Sequence, residues 1–376
     1  VKSTGIILFF LLLLAPAVLS VTGWMSEFQI EENRTRAAWP ESGFTANPVG
    51  YFAAAQAWFD DHFGGRDFLI RLKTQIDYSF LNTSSRVHIG NDGWLFYRSV
   101  LDQQKPAMEH QLALNADSLD ANIGRLALAL KEHDIQLILM PIQLADIYYP
   151  KMLPHSVPNT TRPSRFALAV ERWRHIPNVT VFDSDPTLRQ IQATRPTFQK
   201  TDFHWNEPAA FEVAHAFVDM MGNREGLKQE LWDHALSIEA RPYSGKEAMF
   251  LPLFSTPSED GLFIKQIWNE PDLHYVGGQG PYEWISTQTT QNHPLLPTVC
   301  AIGDSFFDGL STAGLSAYFN KIYFVRWRTE ATFYNLLQQL PPDCRYLLVE
   351  FIEVQSPAIT GLTNASDALG FAAQPR

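Results

Sequence analysis

Cysteine is scarce in this chain: 376 residues hold two, Cys300 and Cys344. Their spacing matches no metal site, so a zinc or iron–sulfur centre built on thiolates is excluded. The pair allows one disulfide at most, if the strands that carry them are neighbours, and two buried free thiols are equally open. Positive charge is also short. Lys and Arg number 29 against 40 Asp and Glu, a net charge of −11 with no basic stripe to neutralise phosphates, which argues against a nucleic-acid partner. GxxxxGK[ST], GxGxxG and HExxH are all missing, so nucleotide-binding and zinc-hydrolase readings have no support. There are no internal repeats.

Long apolar runs are missing too, with one exception. Gly5 to Val21 is apolar without interruption, after Lys2 and before polar sequence. A run of about 17 residues is at the lower limit for a spanning helix and exceeds an ordinary signal-peptide core. The expectation is an uncleaved anchor, residues 1–23, with Lys2 inside and the body exported; a cleaved export signal is the alternative.

What is present is globular: 45% hydrophobic and 18% charged residues, enough to bury one large core, or one core with a small appended subdomain. Residues 24–48 read as a docking linker. Residues 47–63 and 66–81 carry apolar residues at helical spacing, broken at Gly64-Gly65. Arg86 to Tyr97 reads as a β-hairpin turning at Gly90-Asn91-Asp92-Gly93. An amphipathic helix (110–133) then feeds an apolar strand (135–141), and helix and strand alternate through residue 195, the rhythm of a parallel sheet. Residues 226–297 lack a clean period and read as a peripheral insertion with strands at 249–254, 262–268 and 282–287. The rhythm resumes at 299 with strands at 321–327 and 345–351, and a tail from 356 to 376 has little core signal.

Two stretches carry chemistry. Val299-Cys300-Ala301-Ile302-Gly303-Asp304-Ser305 reads as a buried strand running into a tight turn and then a helix (306–319). A hydroxyl at such a corner is exposed at the C-terminal edge of the sheet, and the helix N-terminus can hold a developing oxyanion. Serine needs a base and an orienting carboxylate. In Thr201-Asp202-Phe203-His204-Trp205, read as extended, Asp202 and His204 project to the same side.

The order of these motifs, Asp-x-His before Gly-Asp-Ser, resembles the SGNH hydrolase-like alginate O-acetylation proteins of the AlgJ and AlgX type and their relatives that acetylate other secreted polysaccharides. Glu32-Asn33-Arg34, Gly90-Asn91-Asp92-Gly93-Trp94-Leu95-Phe96-Tyr97, Ile147-Tyr148-Tyr149-Pro150 and Asp202-Phe203-His204-Trp205-Asn206 add to it, over about residues 25–355. One departure is Ile142-Gln143 where the family usually has a lysine after the strand-ending proline. The resemblance implies an SGNH-hydrolase-like three-layer α/β/α fold with a mostly parallel central sheet over residues 24–355, plus N-terminal helices, a hairpin and the insertion. It implies Ser305 as nucleophile, His204 as general base and Asp202 as its orienter. Beyond the triad, the position of Ser305 at the helix start makes its N–H an oxyanion donor, and Trp205, Tyr148, Arg326 and Arg328 are cleft-lining candidates. No metal or tightly bound cofactor is expected. The implied partners are a polysaccharide acceptor, a multipass membrane O-acyltransferase that supplies acetyl groups, and other exopolysaccharide synthesis and export proteins, in the periplasm at the inner membrane. A carbohydrate acetylesterase and a non-catalytic polymer-binding subunit are the competing readings.

Overall fold

The computed structural model describes residues 2–30, 34–41, 43–45, 47–157, 163–227, 231–232, 234–265, 273–277, 284–288 and 294–365. It divides into two compact units, Val1–Ser85 with Met249–Thr256, and Arg86–Ala248 with Pro257–Arg376. The N-terminal helices therefore belong to a unit of their own, where the sequence reading has residues 24–355 as one domain.

The first unit contains α1 (Lys2–Thr22), α2 (Pro48–His62) and α3 (Arg66–Phe80). Asn47 starts α2: its side chain accepts from Gly50 N at 3.0 Å, and Pro48 occupies the first turn. Arg34 grips Asp61 with both guanidinium nitrogens, at 2.8 and 2.5 Å; Glu32 and Asn33 of the same tripeptide lie outside the described residues. Within this unit the 249–256 segment is held by aromatic packing. Phe28, Phe68 and Phe254 close on one another with ring centroids 5.3 to 5.8 Å apart, and Arg71 binds the carbonyls of Phe28, Gln29 and Leu253. Leu251 and Leu253 are buried, and with Pro252 between them the segment is no strand, against expectation. Side chains 12 and 13 are outside the described set, and among the described residues no helix is long and apolar enough to cross a membrane, so the expected anchor gains no support here.

In the second unit β1 (Val87–Ile89) and β2 (Leu95–Tyr97) form the expected hairpin. Then follow α4 (Lys105–Glu132), β3 (Gln136–Ile142), α5 (Ala145–Tyr148), α6 (Arg165–Trp173), β4 (Val179–Val181), α7 (Asp185–Gln192) and α8 (Glu207–Arg224). Next come β5 (Ile238–Tyr243), α9 (Lys246–Met249), which ends in the first unit, β6 (Glu259–Ile264), β7 (Leu273–Gly277) and β8 (Trp284–Gln288). The chain closes with β9 (Val299–Gly303), α10 (Ser305–Thr312), β10 (Lys321–Arg326), α11 (Glu330–Gln338), β11 (Tyr346–Ile352) and α12 (Ser356–Thr363).

The main sheet runs β4-β3-β11-β9-β10-β8-β7. Its first five strands are parallel, and β8 and β7 continue it antiparallel. Both faces are covered, which is why these strands are apolar throughout rather than alternating. Ile138, Met140 and Ile142 share one core with Val213 and Phe217 of α8 and Leu310 of α10. Leu137 and Leu139 share the other with Ile123 and Leu126 of α4 and Ile359 of α12. The result is the three-layer α/β/α architecture the resemblance implied.

Three boundaries differ from the sequence reading. Part of 226–297 is not peripheral, because β7 and β8 extend the main sheet. The tail begins later: Ala358, Ile359, Leu362 and Ala365 are buried, their signal too short to show a period, and residues 366–376 are outside the described set. The helix after Ser305 stops at Thr312, since Gly314 at φ 86° turns the chain into a single 3-10 turn (Leu315–Tyr318). Cys300 and Cys344 are buried free thiols.

Candidate active site

The serine corner is built from the sheet upward. Chain direction places β9 between β11 and β10, with β3 and β4 leading away on one side and β10 on the other. Ligands bind at the C-terminal ends of strands near such a reversal, and β9 delivers Gly303-Asp304-Ser305 there. Glycine at 303 makes room for Glu350: a Cβ would stand 2.6 Å from its Oε2 and force that carboxyl to shift. Asp304 caps α10, accepting from Phe306 N at 2.9 Å through Oδ1, while its Oδ2 accepts from Ile352 N at 3.0 Å. Its own N–H donates to Glu350 Oε2 at 2.7 Å. The middle residue of the Gly-Asp-Ser turn thus ties the corner to the end of β11. Burial and then the Asp304 charge push the Glu350 carboxyl well above its ordinary value.

The imidazole and carboxylate arrive from the loop before α8. Asn206 fixes that loop: its side chain caps α8 at Ala209 N (2.9 Å) and donates to Pro196 O (2.8 Å). Residues 201–204 form a bend rather than the extended segment the sequence suggested, because Asp202 Oδ1 accepts from the backbone N–H of His204 at 3.1 Å. The same oxygen lies 2.5 Å from His204 Nδ1, and His204 Nε2 lies 2.7 Å from Ser305 Oγ. His204 and Ser305 stand 101 positions apart in sequence, and with Asp202 they form one unbroken hydrogen-bonded relay. The imidazole is flanked by Phe203 and Phe306, centroids 4.0 and 5.0 Å away, and its side chain remains 19% exposed, so the relay ends at an open edge.

Asp202 is strongly held. Tyr243 Oη donates to its Oδ2 at 2.8 Å and Lys246 N at 3.2 Å. Burial raises the Asp202 pKa, but the bonds from His204 and Tyr243 outweigh it and bring it down to about 2. Beside it, Glu247 is fully buried; burial first and the Asp202 charge second push its carboxyl up to about 8.

The four cleft candidates fare differently from the relay. Trp205 is buried, packed on Phe306 at 5.1 Å. Tyr148 is buried and stacked on Phe198 at 5.4 Å. Both are core residues, which corrects the sequence reading; an aromatic beside a motif carries no sign of which way it faces. Arg326 ends β10 opposite Gly303 of β9 and pairs with Asp308 of α10 at 2.5 Å, beside the serine corner. Arg328 lies just beyond it and is exposed.

Sequence reasoning missed Tyr243, Glu247 and Glu350. Glu247 in Lys246-Glu247-Ala248-Met249 looks like a surface acid, and Tyr243 belongs to a segment without period. Glu350, inside the apolar run Leu347-Leu348-Val349-Glu350-Phe351, was the one readable signal: a lone acid in a buried strand. Another buried group, Lys105 with Asp146 (2.6 Å) and Glu353 (2.7 Å), joins α4 to the ends of α5 and β11. Among the described residues no group of three or more His, Cys, Asp or Glu is arranged to hold a metal ion.

Comparison with known proteins follows the same lines. Residues 87–261 match the family model of the SGNH hydrolase-like domain of acetyltransferase AlgX. No curated protein matches. Among solved structures, PatB1 of Bacillus cereus superposes with a TM-score of 0.51 at 11% identity, covering 71% of this chain and 97% of that one, which shows a shared fold. The O-acetyltransferase domain of Pseudomonas putida AlgJ matches at 17% identity over 74% of this chain and 99% of that chain, TM-score 0.49. AlgX of Pseudomonas aeruginosa matches at 12% identity over 78% and 69%, TM-score 0.44. The matched residues begin at β1 and carry the Asp202–His204 loop, so this part of the sheet domain is similar to the SGNH hydrolase-like domain of acetyltransferase AlgX.

Proposed function

We propose that this chain is an exported O-acetyltransferase that moves acetyl groups onto hydroxyls of a secreted, alginate-like polysaccharide through an acetyl-Ser305 intermediate. The observation that carries the reading is the relay from Ser305 Oγ through His204 to Asp202, at 2.7 and 2.5 Å. In the scheme, His204 Nε2 takes the Ser305 proton as Oγ bonds the acetyl carbonyl carbon, and the Ser305 N–H, first in α10, faces the developing oxyanion. The tetrahedral adduct collapses, and the donor's leaving oxygen departs with the proton from His204. A sugar hydroxyl then attacks the acetyl-serine, gives its proton to His204, and Oγ leaves and takes that proton back. Asp202, ionised at every working pH, stabilises the imidazolium throughout.

The acetyl supplier in this proposal is a multipass membrane O-acyltransferase, the site of action is the periplasm, and Arg326, beside the serine corner, contacts the acceptor or donor. The match to an acetyltransferase domain family supports transfer over hydrolysis. The test offers the purified protein a chromogenic acetyl ester with and without an oligosaccharide. Acetylated sugar that is lost in Ser305→Ala supports transfer; acetate release alone, undiminished by the sugar, makes the protein an esterase.

A further inference from the structure

We propose that Glu247 is a positioning residue for the Asp202–His204 pair, acting through the Phe203 amide that lies between them. The proposal rests on the reading of Ser305 as nucleophile and His204 as its base. Glu247 Oε2 accepts from Phe203 N at 3.0 Å, so the backbone of the bend that carries both side chains is pinned at its midpoint. The same short segment holds the bend elsewhere: Tyr243 Oη and Lys246 N on Asp202 Oδ2, and Gly245 N on Thr201 Oγ1 at 3.0 Å. Gly245 itself admits no side chain, because a Cβ would stand 2.3 Å from Thr201 O and 2.5 Å from Asp202 Cβ. From the other side Glu259 accepts from Lys200 N, Thr201 N and Thr201 Oγ1.

A buried acid is a costly way to supply one acceptor, and Glu247 Oε1 finds no hydrogen-bond partner among the described residues. What a carboxyl adds is a charge state set against Asp202. Two carboxyls sharing a buried site cannot both ionise easily, so their titrations are driven apart. Asp202 carries the hydrogen bonds that favour the anion, and Glu247 keeps its proton. The charged and titratable groups that act on Glu247 are Asp202 on the bend, Lys246 on its own turn and Tyr243 on β5; His204 reaches it through Asp202, and Glu259 on β6 through Thr201 and Tyr243. When Glu247 ionises, a second negative charge faces Asp202 in a buried site, and repulsion loosens the bend that aims His204 at Ser305.

The experiment follows the rate at which a sulfonyl fluoride labels Ser305, read by peptide mass mapping on the full chain from about pH 6 to about pH 9.5, a range that spans both carboxyl states. Wild type, Ser305→Ala, Glu247→Gln and Glu247→Ala are compared. Gln keeps a neutral acceptor for the Phe203 amide, so labelling stays within about threefold of wild type at pH 7, and its rate lacks the decline that wild type shows above about pH 8. Ala removes the acceptor and slows labelling by about tenfold or more. Equal rates for wild type and Glu247→Ala, or parallel pH profiles for wild type and Glu247→Gln, overturn the proposal; the second comparison decides if the alanine variant does not fold. Absence of Ser305 labelling in wild type overturns the nucleophile reading itself, and this inference with it.

Discussion

Ser305, His204 and Asp202 bear the account at the scale of single residues, and they differ in what their loss should do. Ser305→Ala removes the proposed nucleophile and should reduce Ser-dependent turnover to background. Asp202→Asn keeps the shape but offers His204 Nδ1 an amide in place of a carboxylate, so kcat should fall by about a hundredfold to ten-thousandfold while binding changes little; steady-state kinetics check the split. Glu247 has a signature in stability. Its pKa rises from 4.5 to about 8 on folding, so between those values the folded state holds a proton that the unfolded state has released. Stability must therefore fall as pH rises through that window and level off above it. Thermal unfolding of Glu247→Gln should lack this slope, so the variant gains on wild type from about pH 4.5 to about pH 8; parallel melting curves would contradict it. The relay was legible from residue types and order alone. Tyr243 and Glu247 were not, because their contacts come from a bend folded back across 41 and 44 positions, which no local pattern records.

At the scale of elements, the serine corner depends on what holds β9 against β11. Asp304→Ala takes away the α10 cap and the acceptor for Ile352 N together. A lost cap costs about 1 kcal/mol, and an orphaned buried N–H adds about 1–3 kcal/mol, so the loss should be visible in thermal unfolding as well as in activity. Gly303→Ala brings a Cβ within 2.6 Å of Glu350 Oε2, and should displace the corner and reduce turnover at unchanged acceptor affinity; an active, equally stable alanine variant would refute this placement. The elements themselves were largely readable, since strands buried on both faces are apolar runs and long helices keep their period. The misreadings share one cause. Segments 249–254 and 356–365 have apolar residues too few to show a period, and whether such residues end as strand, helix or loop is decided by partners distant in sequence.

At the scale of the whole molecule, residues 87–261 match an acetyltransferase family model, and helices α1, α2 and α3 of the first unit lie outside that match. Most exposed large apolar side chains among the described residues belong to the helical unit, Phe9, Leu11, Trp39, Phe52, Leu69 and Phe80 among them. Exposed apolar surface on this scale marks an interaction site. In the proposed setting, the full chain should co-sediment with phospholipid vesicles and a chain begun at Trp24 should do so less; equal sedimentation would remove the N-terminal helix from the account. The division into units was not legible, because helical spacing reports that a face is buried and not on what. The central claim is the acetyl-enzyme, and trapping it is the most direct test. The protein is mixed with an activated acetyl ester, quenched in acid, mapped by peptide mass and, in a parallel sample, chased with oligosaccharide. The account predicts one acetyl group on the peptide containing Ser305, absent from Ser305→Ala and passed to the sugar on the chase. Acetyl on another residue, or sugar acetylated with Ser305 replaced, would contradict it.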